Sequence, residues 1–150
     1  MVFKISKYIS IAFIIFLLTS CNYINENEII SNYENNKLDI TTVADFFEKS
    51  IYSQIYISLP SWDGKTMFTG VQYEDVDIHN SDILNSINKI KECGYEIILK
   101  TNDVIYFQDY STKDYGYGVA YSLNGRISDN ENIEVLSQIH ESNWYYYKEH

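Results

Sequence analysis

The stretch SDILNSINKIKECGYEIILKTNDVIYF (residues 81–107) decides the fold class, because it joins an amphipathic helix directly to a β-hairpin. Ser81 is a favourable N-cap, and Asp82 suits the first helical turn. Isoleucine and leucine side chains then recur at helical spacing as far as Gly94, a residue type that commonly ends helices. The pattern predicts a helix over residues 82–93.

The residues that follow this helix predict antiparallel strands. Residues 95–100 and 104–110 are rich in β-branched and aromatic residues and flank a short polar turn, which is typical of a hairpin. A third strand is predicted over 117–123, where Asn124-Gly125 supplies a turn. One face of this strand carries only small residues and can accept a close-packed helix or line a shallow groove. We expect the helix. The small residues are Gly116, Gly118, Ala120 and Ser122.

Less regular patterns flank this centre. Helical spacing after Thr41 and Thr42 predicts a helix over 42–56, although residues 52–57 also fit a strand that ends at Pro60. The other predicted elements are a strand over 66–73, a helix near 130–139 with Ile133, Leu136 and Ile139 as its stripe, and a terminal strand over 144–147. Helices alternate with hairpins and form no regular βαβ series. We therefore predict a small two-layer α+β domain, with a mostly antiparallel sheet of about four or five strands and two or three helices on one face.

The N-terminus carries a separate signal. Lys4 and Lys7 precede an apolar run that ends at Leu18-Thr19-Ser20-Cys21. The run is shorter than the about 20 residues that span a bilayer, and it fits the core of a signal peptide. These four residues resemble a lipobox, the site at which bacterial lipoproteins are cut and lipidated.

The lipobox resemblance implies a division of the chain. Residues 1–20 would be the signal peptide, and Cys21 would carry a diacylglycerol that anchors the protein to the outer membrane or to the outer leaflet of the cell membrane. The domain would then lie outside the cytoplasm, in the cell envelope. Residues 21–40, which are polar and acidic, are expected to form a flexible tether, and 41–150 a single domain. In this mature part, Tyr115-Gly116-Tyr117-Gly118 and Asn143-Trp144-Tyr145-Tyr146 resemble motifs of small bacterial lipoproteins of unassigned activity, so that likeness implies no function.

Charge and cysteine content exclude several classes. The chain has a formal net charge of −10, and loss of the two signal-peptide lysines would make it more acidic still. Such acidity argues against nucleic-acid binding and suits basic partners or simple solubility. If Cys21 is lipidated, Cys93 has no second cysteine to pair with, and a small buried side chain is expected there.

No catalytic motif stands out. Asp75-x-Asp77-x-His79 lacks the glycine and glutamate of a calcium loop, and Asp109 and Asp114 are paired loop carboxylates without a supporting motif. We expect no metal and no cofactor. A small envelope hydrolase that uses loop carboxylates with His79 or His140 stays open as the alternative function.

Aromatic residues near the C-terminus are the candidate binding surface. Trp144, Tyr145, Tyr146 and Tyr147 alternate between two faces of the terminal strand, so one pair is expected at the surface, with Tyr117 as a further candidate. Exposed aromatics commonly anchor protein partners, although they can also simply stiffen a strand. The sequence favours a non-enzymatic binding or accessory domain, for example an immunity or inhibitor lipoprotein.

Overall fold

The computed structural model describes residues 26–70, 72–75, 78, 80–111, 115–127, 132–140 and 143–150. These residues form two α-helices, a single 3-10 turn and eight strands. The helices are α1 (Glu26–Glu48) and α2 (Ser81–Glu92), and the 3-10 turn is Leu59–Ser61. The strands are β1 (Ile55–Ser58), β2 (Thr66–Phe68), β3 (Tyr73–Asp75), β4 (Ile97–Lys100), β5 (Val104–Ser111), β6 (Gly116–Ser122), β7 (Ile133–Gln138) and β8 (Trp144–Glu149).

All eight strands belong to one sheet, in the order β3-β2-β1-β4-β5-β6-β8-β7. Every neighbouring pair in this order is antiparallel. The predicted α+β class with a mostly antiparallel sheet is confirmed. The predicted number of four or five strands was too low, because β1, β3 and β7 lie in segments that were assigned to helices or loops.

Helix α2 and the hairpin after it match the sequence prediction. The Asn80 side chain accepts a hydrogen bond from the Asp82 backbone N–H at 2.9 Å, so the N-cap lies one residue before the predicted Ser81. Gly94 has a φ of +96°, the left-handed conformation that ends many helices. In the hairpin, Lys100 pairs with Ile105 across the predicted turn.

Helix α1 corrects the tether prediction. The structure places residues 26–40 in a helix, and Ile29, Tyr33 and Ile40 are buried on one face of it. The polar Asn and Glu residues between them mostly occupy the solvent side, so a polar average composition hid an amphipathic helix. The prediction of a helix over 42–56 was wrong beyond Glu48, because the next residues turn and then form β1.

Two more predicted elements differ in the structure. Residues 133–138 form strand β7 instead of a helix. Along it, burial alternates as in a strand: Ile133 and Val135 are half-buried, while Leu136 is exposed. The expected strand over 66–73 breaks at Gly70, where a φ of +86° turns the chain back into β3. In the short apolar run of residues 133–139, the spacing of apolar residues fitted both the helical and the strand period.

Both helices cover one face of the sheet. Helix α1 contacts β5, β6 and β8, and α2 packs against α1. The hydroxyl of Ser137 in β7 donates to Glu26 at the start of α1, while Lys100 Nζ in β4 donates to Ser50 O just beyond its end, 3.2 Å away. The helix therefore crosses the sheet from β7 towards β4. The opposite face carries no described helix, and we call it the helix-free face.

Neither of the helices that the structure describes packs on the small residues of β6. Val119 on the other face of β6 belongs to the helix-side core, whereas Ala120 packs with Tyr106 and Tyr147 on the helix-free face. A Cβ on Gly118 would lie 2.1 Å from the Phe107 carbonyl oxygen. The missing side chain thus allows β5 to approach closely, and the helix expected on this face was wrong.

Neither described helix combines the length and the apolar character that crossing a lipid bilayer requires.

Two substitutions within the predicted tether test the packing of α1. Ile40 is fully buried, so Ile40→Ala should lower the free energy of unfolding by about 2–4 kcal/mol through lost burial and a new cavity. Leu38 is 77% exposed, so Leu38→Ala should change it by less than about 0.5 kcal/mol. Urea unfolding followed by circular dichroism measures both. Equally small effects of the two changes would show that this segment does not pack.

Candidate binding groove on the helix-free face

The terminal strand does not present the expected aromatic surface. Trp144, Tyr146 and Tyr147 are each 3% exposed or less, so the prediction of a surface pair on this strand was wrong. Both faces of β8 are covered. Trp144 and Tyr146 lie in the helix-side core, and Tyr147 packs with Tyr106 on the other face.

Tyr145 is half-buried, and its hydroxyl is hydrogen-bonded. Its hydroxyl donates to the Gly125 carbonyl oxygen at 2.8 Å, which ties β8 to the turn after β6. On the helix-free face, Ile127 from the segment after that turn packs against the cluster that contains Tyr147. The alternation of residues along β8 could not predict that this segment covers Tyr147, because that cover depends on tertiary packing.

Tyr117 lies in a small aromatic cluster that already contacts a lysine side chain of the same protein. Its ring stacks on Tyr146 at 6.5 Å between centroids, with 14° between the planes. Lys148 Nζ lies 5.5 Å from the centroid of Tyr115 and 6.0 Å from that of Tyr117. Because the Lys148 ammonium group already makes cation–π contacts with both rings, they are poorly suited to bind a further cation.

A different surface is open at the other end of the sheet. Tyr56 in β1 lies directly opposite Phe68 in β2 and Leu99 in β4. Side chains of directly opposed residues share a face, so these three form one row on the helix-free face. All three are half-buried, whereas the next residue of the row, Tyr106, is buried.

Two hollows adjoin this row, and Tyr56 lines both. One has a volume of about 290 Å³ and an almost wholly apolar lining that includes Phe68 and Leu99. The other has a volume of about 250 Å³ and combines aromatic and polar side chains. Its lining includes Ser58, Ser61, Trp62, Asp63 and Thr66. We call the two hollows together the β1 groove.

The polar hollow is built by the turn between β1 and β2. Asp63 Oδ1 accepts hydrogen bonds from the backbone N–H groups of Lys65 at 3.0 Å and Thr66 at 2.7 Å. Its Oδ2 accepts the Thr66 hydroxyl at 2.6 Å. These bonds, led by that of the Thr66 side chain, lower the pKa of Asp63 to about 2, so its carboxylate stays ionised at physiological pH.

Trp62 forms one wall of the polar hollow. Its indole N–H donates to the Thr66 carbonyl oxygen at 3.1 Å, which fixes the half-buried ring beside the turn. No site was predicted at Asp63-Gly64, although this dipeptide is typical of turns. A tryptophan next to a turn aspartate was the available signal, and it became meaningful only when β1, β2 and β4 came together.

No protein-family model, no curated protein and no solved structure matches this chain.

Four residues singled out from the sequence lie outside the described residues. They are the predicted lipidation site Cys21 and the catalytic or metal candidates Asp77, His79 and Asp114. His140 is exposed. Within the described ranges, no group of three or more His, Cys, Asp and Glu side chains could hold a metal ion.

Asp109 instead belongs to a network that joins α1 to β5 and to the end of α2. Asn32 Nδ2 donates to Asp109 Oδ2 at 3.0 Å and to the Cys93 carbonyl oxygen at 3.3 Å. The Cys93 thiol donates to Asn36 Oδ1 at 2.9 Å. Cys93 lies at the C-cap of α2 and is exposed, not buried as predicted. Burial raises the pKa of Asp109 above its ordinary value.

The raised pKa of Asp109 predicts a stabilising substitution. Since the folded protein favours the protonated form, the stability that Asp109 contributes is complete below its unfolded pKa and is lost as pH rises through its folded pKa. An asparagine side chain at this position would stay uncharged and could still accept the bond from Asn32. Asp109→Asn should therefore raise the urea midpoint at pH 7, with the gain vanishing near about pH 3. The same change in midpoint at both pH values would contradict this assignment.

Proposed function

We propose that the protein is a lipid-anchored, non-enzymatic binding or accessory domain of the cell envelope, acting in the manner of an immunity or inhibitor lipoprotein. The observation that carries the proposal is the β1 groove, in which half-buried Tyr56, Trp62 and Phe68 surround two adjoining hollows. Tyrosine and tryptophan side chains in such positions are typical anchors of protein interfaces. Each hollow, at 250 to 290 Å³, suits a side chain better than a large cofactor.

The chemistry of the groove favours binding over hydrolysis. Among its lining residues, Asp63 is the single carboxylate and there is no histidine. A general acid or base works best with a pKa near the operating pH, whereas the pKa of Asp63 is about 2. Its oxygens also hold the turn together. These properties support an electrostatic role for Asp63.

The position at which α1 begins limits the distance between the groove and a lipid anchor at Cys21. If Cys21 is lipidated, only four residues separate it from Glu26, the first residue of α1, so the two are at most about 18 Å apart. Glu26 touches β7 at one edge of the sheet, and β1 lies five strands away from β7. At about 4.8 Å per strand, the groove would lie about 24 Å from the anchored edge.

Labelling with radioactive palmitate tests the anchor. The wild-type protein should incorporate label and sediment with membranes, whereas Cys21→Ala should lose the label because its thiol is the acceptor. Cys93→Ala is the matched control and should label like wild type, since Cys93 is the other cysteine of the chain. Undiminished labelling of Cys21→Ala would contradict the anchor.

Site-specific photocrosslinking in intact cells tests the groove. Benzoylphenylalanine in place of Phe68, which lines the groove, should give a discrete adduct of higher mass. The same group in place of Leu38, which is 77% exposed on α1, is the matched control and should give none. Adducts from both positions, or from neither, would contradict specific binding in the groove.

A further inference from the structure

We infer that the polar hollow of the β1 groove binds the guanidinium or ammonium group of a basic protein segment, and that the apolar hollow takes an apolar side chain of the same segment. This inference rests on the proposed binding function and names the chemistry of its partner. It follows from the donors and acceptors of the polar hollow, from the charge of the chain and from the adjacency of the two hollows.

The polar hollow is poor in free donors. The indole N–H of Trp62 is spent on Thr66 O, and the Thr66 hydroxyl is spent on Asp63 Oδ2. The Ser61 hydroxyl lies 3.4 Å from Ser58 O and 3.3 Å from Ser58 Oγ, as their donor. The turn thus consumes three of the donors in the lining, and the hydroxyls of Ser58 and Tyr56 are the side-chain donors that no such bond uses. A neutral sugar needs donors as well as acceptors from its site, whereas a cationic side chain brings only donors.

The carboxylate and the aromatic residues of the polar hollow attract cations. Asp63 carries a full negative charge, and its side chain is exposed to solvent. Trp62 and Tyr56 line the same hollow, and Trp62 also packs against the helix-side core. A carboxylate beside aromatic faces combines charge-assisted hydrogen bonding with cation–π attraction, and arginine exploits both with its planar, donor-rich head.

The charge of the whole chain acts in the same direction. A formal net charge of −10 draws basic partners and repels acidic ones. Electrostatic attraction of this kind raises the rate of encounter, while the shape of the site determines which side chain is retained. Two positive charges oppose this attraction. Lys65 is exposed in the same turn as Asp63, and Lys100 lines the apolar hollow while its Nζ donates to Ser50 O.

The apolar hollow gives the partner a second feature. It adjoins the polar hollow at Tyr56 and runs towards Gln54 and Thr101 at the other end of β1. Alternate side chains of an extended peptide point the same way, about 7 Å apart. We therefore expect a segment in which an apolar residue two positions from an arginine packs beside Phe68 and Leu99, with the arginine beside Trp62, and burial of that residue adds affinity.

A pair of short peptides tests this inference on the full chain purified in detergent. The probe is acetyl-Leu-Gly-Arg-amide, and the control is its citrulline analogue, which has nearly the same shape but no charge. Binding is followed by the NMR signals of the two tryptophan indole N–H groups. Trp62 lines the groove, and Trp144, which is 3% exposed, is the internal reference.

The arginine peptide should shift the Trp62 signal and leave that of Trp144 in place. The citrulline peptide should bind about five- to tenfold more weakly. Asp63→Asn keeps an oxygen for the two backbone N–H groups of the turn, and it should reduce the affinity for the arginine peptide to that for citrulline. Lys65→Gln, which removes a positive charge from the same turn, should tighten binding of the arginine peptide.

Equal binding of the two peptides, or no movement of the Trp62 signal, would overturn the inference. A shift of Trp62 by the neutral sugar tri-N-acetylchitotriose, without one by the arginine peptide, would also overturn it, although the groove would then remain a binding site. Conversely, peptide binding in vitro without a crosslink from position 68 in cells would leave the cation site intact and remove the proposed function. The two ideas therefore fail separately.

Discussion

The packing of α1 across the sheet is the contact on which the rest of the structure depends. The ring of Tyr33 lies 4.9 Å from that of Trp144, and both side chains are buried. Helix α2 reaches the core beside α1, so it cannot replace the cover that α1 gives to β5, β6 and β8. Without α1, the aromatic and aliphatic side chains on one face of three central strands would be exposed to water.

This one-sided cover explains why a groove exists. With both helices on one face, the other face is closed by side chains such as Tyr106 and Tyr147 and by the segment after β6, and among the described residues this cluster extends as far as Leu99 in β4. The strands β1 and β2 lie beyond it. Tyr56, Phe68 and Leu99 are therefore left half-buried, in a row that fits a partner better than water.

How much the sequence could predict depended on whether local signals agreed with tertiary packing. Helix α2 was readable because its cap, its apolar period and Gly94 all indicate the same element. The first part of helix α1, residues 26–40, was not, because Ile29, Tyr33 and Ile40 are separated by polar residues whose average resembles a tether. The groove was least predictable, since it joins three strands that are distant in sequence and its aromatic residues form no motif.

The combination of a short anchor and a small groove is physically coherent under the proposed function. A single cationic side chain in a solvent-exposed site contributes little affinity by itself. Anchoring changes this, because a site and a partner held at one membrane meet at a raised effective concentration, and a weak contact then suffices. A rigid α1 strengthens the effect, since a helix that begins five residues after Cys21 limits the heights and orientations that the groove can adopt. A long flexible tether would spread those positions and dilute the same contact.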